Sequence, residues 1–376
     1  MTTSPFIQDR IAAARFMVVG CGALGNEVLK NLVLMGAEHL TVVDFDRVEQ
    51  GNLSRSVLFC REDADRGRLK VDALRERLCA MSPRLQVETI CGDIAYDVGL
   101  GLVRATDVVI GCVDNRWARY CINRLCMRAG KPWVDGGIDA LEGTVRVFAP
   151  GKNCYACNLG PEGLKDMMRR MPCSGTIRRD EEAGKAPTTS VIASVIGAVQ
   201  VQEALKLLHP ELLESGEMSS LCGRMFYYEG GRLSSRTVDF QAYDDDCPVH
   251  ELWEPVMPTQ LRPDMQVAQA LDVLRKELQS ADVTLQLAGD CFVDYVLRRD
   301  NDARLTLMLP GRAVAAGVEQ DAGFGGLPLS SLYQHEYREI DASFPYQELT
   351  LGELGIPERD VLCVAAGSGD YYMEMQ

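Results

Sequence analysis

The fold is decided by residues 16–25, which read Phe-Met-Val-Val-Gly-Cys-Gly-Ala-Leu-Gly. The apolar run at 16–19 is typical of a buried parallel strand, and the helical periodicity that begins at Ala23 predicts a helix directly after it. Gly20, Gly22 and Gly25 lie at the turn between the two. Glycines at this spacing permit a tight turn, close approach of the backbone to a phosphate and close packing of the helix. The stretch therefore predicts a nucleotide-binding strand, loop and helix.

Strand and helix patterns continue to alternate after this unit, which predicts an α/β fold with a Rossmann-like, doubly wound parallel sheet. Alternating apolar and polar residues further along predict antiparallel strands that extend the sheet, and an apolar segment at 189–208 predicts a buried helix. We assign residues 1–250 to this domain, with a charged loop at about 160–188. The predicted strands are 40–44, 85–90, 107–111, 132–137, 143–149, 224–228 and 233–239, and the further helices are 70–81 and 115–129.

The composition narrows the class of protein. The chain has 376 residues, 14 cysteines and a formal net charge of −15. Such an acidic balance argues against nucleic acid as the main partner. The first residues carry no apolar signal core, and we find no run of about 18 apolar residues that would span a membrane. We therefore expect a cytoplasmic protein whose cysteines are reduced.

Acidic, amide and basic side chains follow the glycine loop at regular places in the pattern. Asp44 ends the second predicted strand, where a carboxylate normally binds a ribose hydroxyl. Asp46 is less expected in a protein that binds NAD. Arg55 and Lys70 are cations able to reach phosphates, and Asn52 can donate to a phosphate oxygen. Asp114 follows the fourth strand at the carboxyl edge, where its carboxylate can hold Mg²⁺.

The segments that carry these residues resemble the ubiquitin-activating enzyme superfamily, which includes the bacterial molybdopterin-synthase and thiamine-pathway adenylyltransferases. The matching stretches are 42–55, 67–70 and Cys112-Val-Asp-Asn-Arg116, within roughly residues 10–250. The resemblance implies binding of ATP and Mg²⁺ and adenylation of the C-terminal glycine of a ubiquitin-fold protein. By position it implies these roles: Asp44 for the ribose, Asn52, Arg55 and Lys70 for phosphates, Asp114 for Mg²⁺, and Asp46 and Asn115 at the same nucleotide site.

One element of that family is absent in its usual form. Related enzymes commonly place an Arg-Tyr-x-Arg element before the first strand, and its arginine reaches the ATP of the partner subunit. Here only Arg10 and Arg15 precede Phe16. Arg10 is one substitute, and an arginine from a different chain is another. Because related enzymes pair two adenylation domains, we expect a homodimer.

Two pairs of candidate metal ligands bracket the second half of this domain. Cys154-Tyr-Ala-Cys157 and Cys247-Pro-Val-His250 each have the spacing of ligands for tetrahedral Zn²⁺. The family resemblance also implies zinc here, usually with four cysteines, so His250 is a departure. Imidazole is an equally competent ligand, and with no open position evident we predict a structural Cys₃His zinc site.

Cys173 stands apart from the thiols in apolar contexts. It opens the charged loop, and Arg169, Arg170, Arg178 and Arg179 surround it in the sequence. Neighbouring cations favour the thiolate. In the resembling enzymes a cysteine of this loop takes the acyl group from the adenylate, so we predict a thioester on Cys173. The alternative is an ordinary exposed thiol.

Residues 251–263 contain Pro255, Pro258 and Pro263 and predict a linker. Residues 264–376 then resemble a small α+β domain of the β-grasp, ubiquitin-like type, with a short helix, turn and strand over 350–364. From Glu251 onward there are 21 acidic and 9 basic residues. Such a domain would bind a conjugating enzyme, and its acidity would suit a basic helix on that partner.

We therefore expect an activating enzyme that adenylates a ubiquitin-like protein, captures it on Cys173 and passes it to a conjugating enzyme. A chain this short resembles bacterial ubiquitin-like conjugation systems, which often serve antiviral defence. One alternative is a sulfur-carrier adenylyltransferase of cofactor or thiouridine synthesis. A second is a non-catalytic scaffold subunit of a heterodimer, and an NAD-dependent oxidoreductase is the last.

Overall fold

The computed structural model describes residues 6–169, 188–367 and 369–376. Contacts divide the chain into two units. The first takes its described residues from Met1–Ala95, Val103–Gly160 and Gly184–Leu252. The second takes them from Tyr96–Leu102, Pro161–Ala183 and Trp253–Gln376.

The first unit is built on an eight-stranded sheet. Its strands are β1 (Arg15–Val19), β2 (His39–Val43), β3 (Gln86–Ile90), β4 (Val108–Gly111), β5 (Trp133–Asp139), β6 (Glu142–Phe148), β7 (Arg224–Glu229) and β8 (Ser234–Asp239). They lie in the order β3-β2-β1-β4-β5-β6-β7-β8. The first five are parallel to one another, and β6, β7 and β8 pair antiparallel. The sequence prediction of a doubly wound parallel sheet with an antiparallel extension is confirmed.

Helices lie between these strands along the chain, and several of them pack on the sheet. They are α1 (Gln8–Ala13), α2 (Ala23–Leu34), α3 (Arg61–Asp65), α4 (Lys70–Met81), α5 (Leu100–Arg104), α6 (Arg116–Ala129), α7 (Tyr155–Arg169), α8 (Ser190–Leu207) and α9 (Pro210–Glu214). A break at Gly160, where φ is 64°, divides α7 into two helical pieces. The predicted loop at 160–188 therefore begins with helical backbone as far as Arg169.

Helix α8 packs against α2 and β5 in the core of this unit. By length and composition it would also be apolar enough to cross a membrane, but half of it is buried inside the chain. Two of its polar side chains, Gln200 and Glu203, are buried as well. Gln200 Nε2 donates to the Gly111 carbonyl over 2.9 Å, so this helix holds the end of β4.

The second unit has two sheets. A five-stranded sheet has the order β14-β10-β15-β16-β9, with α10 as its helix, and a three-stranded sheet has the order β12-β11-β13, with α11 packed on β12. The elements are β9 (Val256–Pro258), α10 (Val267–Leu278), β10 (Val283–Gln286), β11 (Phe292–Arg298), β12 (Arg304–Pro310), α11 (Val314–Gln320), β13 (Leu332–Tyr337), β14 (Glu339–Ile340), β15 (Val361–Ala366) and β16 (Gly369–Glu374). The expected short helix after Thr350 is a series of turns.

The predicted boundaries at 250 and 263 differ from this division. Within the segment expected to be a linker, Trp253 stacks on Tyr372 at 4.7 Å between ring centroids, and β9 pairs with β16. Leu261 is fully buried in the core of the second unit. Residues 253–263 therefore belong to that unit, and Tyr96–Leu102 contributes to it from the middle of the predicted adenylation domain. The ubiquitin-like fold of this unit stays a prediction.

The glycine loop gives a direct test of the fold. A Cβ on Gly25 would lie 2.0 Å from the Gly20 carbonyl oxygen, whereas a Cβ on Gly22 would meet nothing within 4 Å. We expect Gly25→Ala to lower the free energy of unfolding by about 3 kcal/mol, because the backbone must shift to admit the methyl group. Chemical denaturation monitored by circular dichroism measures this.

Gly22→Ala is the matched control, since Gly22 has φ −73°, which alanine adopts without strain. We expect its stability to stay within about 1 kcal/mol of the wild type. Equal destabilisation by both substitutions would contradict the close contact between Gly25 and Gly20.

Candidate nucleotide-binding site and metal centre

Three neighbouring parallel strands bring the predicted nucleotide-site residues to one edge of the sheet. Gly20 follows β1, Asp44 follows β2, and Asp114 comes shortly after β4. These strands are adjacent in the sheet, so their carboxyl ends meet at the same edge. The loops also touch, because a Cβ on Gly20 would lie 2.6 Å from the Cys112 carbonyl oxygen. The structure therefore assembles the glycine loop, the acidic loop and the Asp114 loop.

Asn26 holds the glycine loop in place. Its Nδ2 donates to the carbonyl oxygens of Cys21 and Gly22 over 2.9 and 3.0 Å. Its Oδ1 accepts from the backbone N–H of Leu58 over 2.9 Å, which ties this loop to the segment that carries Asn52 and Arg55. Sequence reasoning missed Asn26. The one signal in the sequence was its place, an amide directly after the last glycine of the loop.

Asp44 is partly engaged by the backbone around it. Its Oδ2 accepts from the N–H of Cys21 over 2.6 Å, and its Oδ1 accepts from the N–H of Asp46 over 2.7 Å. Burial raises the pKa of the Asp44 carboxyl, and Lys70 and these hydrogen bonds oppose that shift. Asp44 thus links the ends of β1 and β2 at the position predicted to bind a ribose.

Lys70 is a buried cation at this edge. Its Nζ lies 2.8 Å from Asp46 Oδ2, and the Lys70 residue is only 7% exposed. Burial acts to lower the pKa of Lys70, but Asp44 and Asp46 outweigh it, so the pKa lies above its ordinary value. The ammonium group is therefore charged and already oriented before any ligand binds.

The two other predicted phosphate ligands have different environments. Asn52 is buried, and its Oδ1 accepts from the N–H of Glu49 over 2.9 Å, so this oxygen caps its own turn. Only its amide nitrogen is left for a phosphate. Arg55 is half-buried, and within the described ranges its guanidinium makes no ion pair or hydrogen bond.

Asp114 and Asn115 form the start of α6. Asn115 Oδ1 accepts from the N–H of Ala118 over 2.8 Å and caps the helix, and Asn115 Nδ2 lies 3.3 Å from Asp114 Oδ1. Asp114 is exposed. Asn115, predicted to contact the nucleotide, therefore has a clear structural role in placing Asp114.

A buried ionic cluster that the sequence did not reveal lies behind this loop. Asp135 is fully buried on β5, and its Oδ1 accepts from Arg119 Nε over 2.9 Å while its Oδ2 accepts from Arg146 Nη2. Arg119 Nη2 also donates to the carbonyl oxygen of Val113 over 2.7 Å. Arg119 thus supports the backbone immediately before Asp114.

The four predicted metal ligands converge, although the two pairs are distant in the sequence. The Cys154 sulfur lies 3.6 Å from that of Cys157 and 3.8 Å from that of Cys247, and His250 Nε2 lies 3.2 Å from the Cys157 sulfur. All four ligand atoms lie within 4.8 Å of one another. In a tetrahedral zinc site with Zn–S bonds of about 2.3 Å, neighbouring sulfurs are about 3.8 Å apart. The donor set and its spacing fit zinc.

Two further predictions concern the roles of Cys173 and Arg10. Cys173 lies outside the described residues, so its role stays a prediction. Arg10 is exposed, and its Nη1 lies 2.6 Å from Glu211 Oε1 in the same chain. An exposed ion pair of this kind is weak, so the role of Arg10 as a substitute for the missing family arginine stays a prediction.

The glycine loop, the parallel sheet and the charged groups at its edge define a nucleotide-binding protein of the Rossmann-like α/β class. The model of the ThiF family matches residues 3–249, and the chain belongs to that family. This confirms the resemblance predicted from the sequence.

Named relatives support the same family assignment. The chain is 32% identical over 242 residues to the SAMP-activating enzyme E1 of Haloferax volcanii, which covers 64% of this chain and 82% of the relative. It is 32% identical over 248 residues to the sulfur carrier protein adenylyltransferase of Thermus thermophilus, with 64% and 84% covered. The crystal structure of Escherichia coli MccB with succinimide matches with a TM-score of 0.52 and 21% identity over 64% of this chain and 68% of that one, which supports the fold alone.

The metal centre predicts that the purified protein contains about one zinc per chain, held by four protein ligands. Cys154→Ser should lose that zinc and lower the thermal unfolding midpoint, because a bound metal stabilises the folded state. Elemental mass spectrometry and thermal denaturation measure both effects.

Cys79→Ser is the control, since Cys79 is exposed and lies outside the cluster. Its zinc content and unfolding midpoint should match those of the wild type. A Cys154→Ser variant that keeps a full equivalent of zinc would contradict the assigned ligands.

Proposed function

We propose that this chain uses ATP to adenylate the C-terminal glycine of a small ubiquitin-fold protein. The observation that carries the proposal is the convergence of the glycine loop, Asp44, Lys70 and Asp114 at one sheet edge. Membership in the ThiF family and the names of its relatives support the same reaction.

Adenylation requires that the phosphate charges are neutralised and the reactants are positioned, and it requires no general base. A carboxylate oxygen of the terminal glycine attacks the α-phosphorus of ATP, a new P–O bond forms, and the bond to the bridging oxygen of the β-phosphate breaks. Pyrophosphate leaves, and an acyl-adenylate remains. The nucleophile is already an anion, so no proton needs to be removed.

The residues of this edge suit those demands. Lys70 supplies a buried charge that is held in place by Asp46. Arg55 supplies a second cation, and Asn52 keeps an amide nitrogen for a phosphate oxygen. Asp114 would hold Mg²⁺, which neutralises phosphate charge when bound, and Asp44 would meet the ribose.

The names of the relatives suggest two kinds of substrate for this chain. One is named for activating SAMP and the other for adenylating a sulfur carrier protein, and the two are equally similar to this chain. The first matches our more specific proposal, in which Cys173 attacks the acyl-adenylate, releases AMP and carries the modifier as a thioester. The acidic second unit would then bind a conjugating enzyme, and a second copy of the chain would complete a homodimer.

Adenylation is tested with ATP–pyrophosphate exchange, using a panel of ubiquitin-fold proteins from the source organism that end in glycine. We expect Lys70→Ala and Asp114→Asn each to lower the exchange rate by about 100-fold or more, because each removes a charge that acts on the triphosphate.

Lys276→Ala is the control for loss of one positive charge, since Lys276 is exposed on α10 in the second unit. It should retain the wild-type rate. Exchange that survives both Lys70→Ala and Asp114→Asn would remove the proposed site from the reaction.

Thioester formation separates the two kinds of substrate. Cys173→Ala should leave pyrophosphate exchange intact but abolish a thiol-sensitive adduct on non-reducing gels, because only the acceptor sulfur is lost. Cys79→Ala is the control and should keep the adduct. An adduct that persists in Cys173→Ala would place the nucleophile elsewhere, and exchange without any wild-type adduct would favour sulfur-carrier adenylation.

A further inference from the structure

The buried ion cluster behind the Asp114 loop is not used by the adenylation chemistry itself. Asp135 is fully buried and lies beside Gly111, the last residue of β4. Its strand, β5, is in the interior of the sheet, between β4 and β6. The Oδ1 atom of Asp135 accepts from Arg119 Nε over 2.9 Å. A carboxylate on an interior strand therefore fixes the guanidinium group of a residue on α6.

The other side of this guanidinium group binds the backbone. Arg119 Nη2 donates to the carbonyl oxygen of Val113 over 2.7 Å and to that of Gly136 over 3.0 Å. Because Nε and Nη2 belong to one rigid plane, the bond to Asp135 also fixes the direction of Nη2. Asp135 thus determines, through Arg119, where the Val113 carbonyl lies, and Val113 directly precedes Asp114.

The backbone on both sides of Asp114 is held in place, while the Asp114 side chain is exposed. Before it, the Val113 carbonyl is bound by Arg119. After it, Asn115 Oδ1 accepts from the N–H of Ala118 over 2.8 Å and fixes the start of α6. A carboxylate whose backbone is already in place loses less freedom when it binds a metal ion. Loss of the groups that orient a metal ligand commonly weakens metal binding by about 10- to 100-fold.

We propose that Arg119 is a positioning residue for the magnesium site, because Asp135 anchors it and it holds the backbone that presents the Asp114 carboxylate to Mg²⁺. Arg119 touches neither the nucleotide nor the metal in this proposal. The inference rests on the proposed function in one respect, the assignment of Mg²⁺ to Asp114. It requires no protein substrate, so it can be tested apart from adenylation.

The test is the affinity of the full chain for α,β-methylene-ATP, whose α–β bridge is not cleaved, measured by calorimetry with Mg²⁺ and in magnesium-free buffer. Arg119→Gln removes the guanidinium group but keeps a polar side chain. We expect it to lose about tenfold or more of the affinity measured with Mg²⁺, because Asp114 is no longer placed for the metal. In magnesium-free buffer it should bind like the wild type, whereas a merely structural role would lower the affinity under both conditions.

Arg146→Gln is the matched control. Arg146 donates to the other oxygen of Asp135, and within the described residues it makes no hydrogen bond to Val113. Its affinity should stay within about threefold of the wild type under both conditions, well short of the loss expected at Arg119. If Arg119→Gln fails to fold, Arg119→Lys is titrated instead, since lysine keeps a charge beside Asp135 but has one nitrogen where arginine uses two.

Three results would overturn the proposal. The first is wild-type affinity with Mg²⁺ in a folded Arg119 variant, and the second is an equal loss in Arg146→Gln, which would show a general packing role. The third is a wild-type chain whose affinity is the same with and without Mg²⁺. The expected pattern in a chain that shows no pyrophosphate exchange would support this inference and contradict the proposed function.

Discussion

The carbonyl oxygen of Gly20 lies where any side chain on Gly25 would begin, 2.0 Å from the position of a Cβ. This contact lets α2 begin with only three residues between it and β1, so that the N-terminus of the helix lies near the carboxyl edge of the sheet, a place where helix N-termini bind phosphates. The same loop rests on Cys112 and is held by Asn26. The close packing of these loops brings the ends of β1, β2 and β4 to one edge of the sheet, where we propose that Asp44 and Asp114 belong to one site.

The sequence was informative where the pattern is local. Apolar runs predicted the strands. Ligand spacing predicted a metal centre built from two pairs of residues, in which Cys154 and Cys247 are 93 positions apart. We did not predict the roles of Asn26, Arg119 or Asp135. Their partners are backbone atoms or charged side chains, and such contacts leave no periodic pattern in the sequence. The linker was misjudged because prolines normally mark breaks. Pro258 lies on β9, at the edge of its sheet, where a missing N–H is tolerated.

In the first unit, the candidate metal centre and the sheet edge that carries the candidate nucleotide site differ in their physical roles. The cluster joins residues 154–157 to residues 247–250 and so closes a long stretch of chain that contains α8, β7, β8 and residue 173. A metal ion bound to these four ligands would hold both ends of this stretch together and stabilise the folded state. The nucleotide edge instead concentrates charge: a buried ammonium at Lys70, an unpaired guanidinium at Arg55 within the described residues and an exposed carboxylate at Asp114.

Helix α6 carries Asn115, Arg119 and Asn123, each four positions after the last. Asn115 caps the helix just after Asp114, Arg119 supports the backbone just before Asp114, and Asn123 accepts from the N–H of Tyr155, which follows the candidate metal ligand Cys154. One inserted or deleted residue within 116–122 would rotate everything beyond it by about 100° and take Asn123 away from the Tyr155 N–H while Asn115 stayed in place. The length of this helix between the two sites is therefore fixed, and we expect chimeras of this domain to tolerate loop insertions but no change of register here.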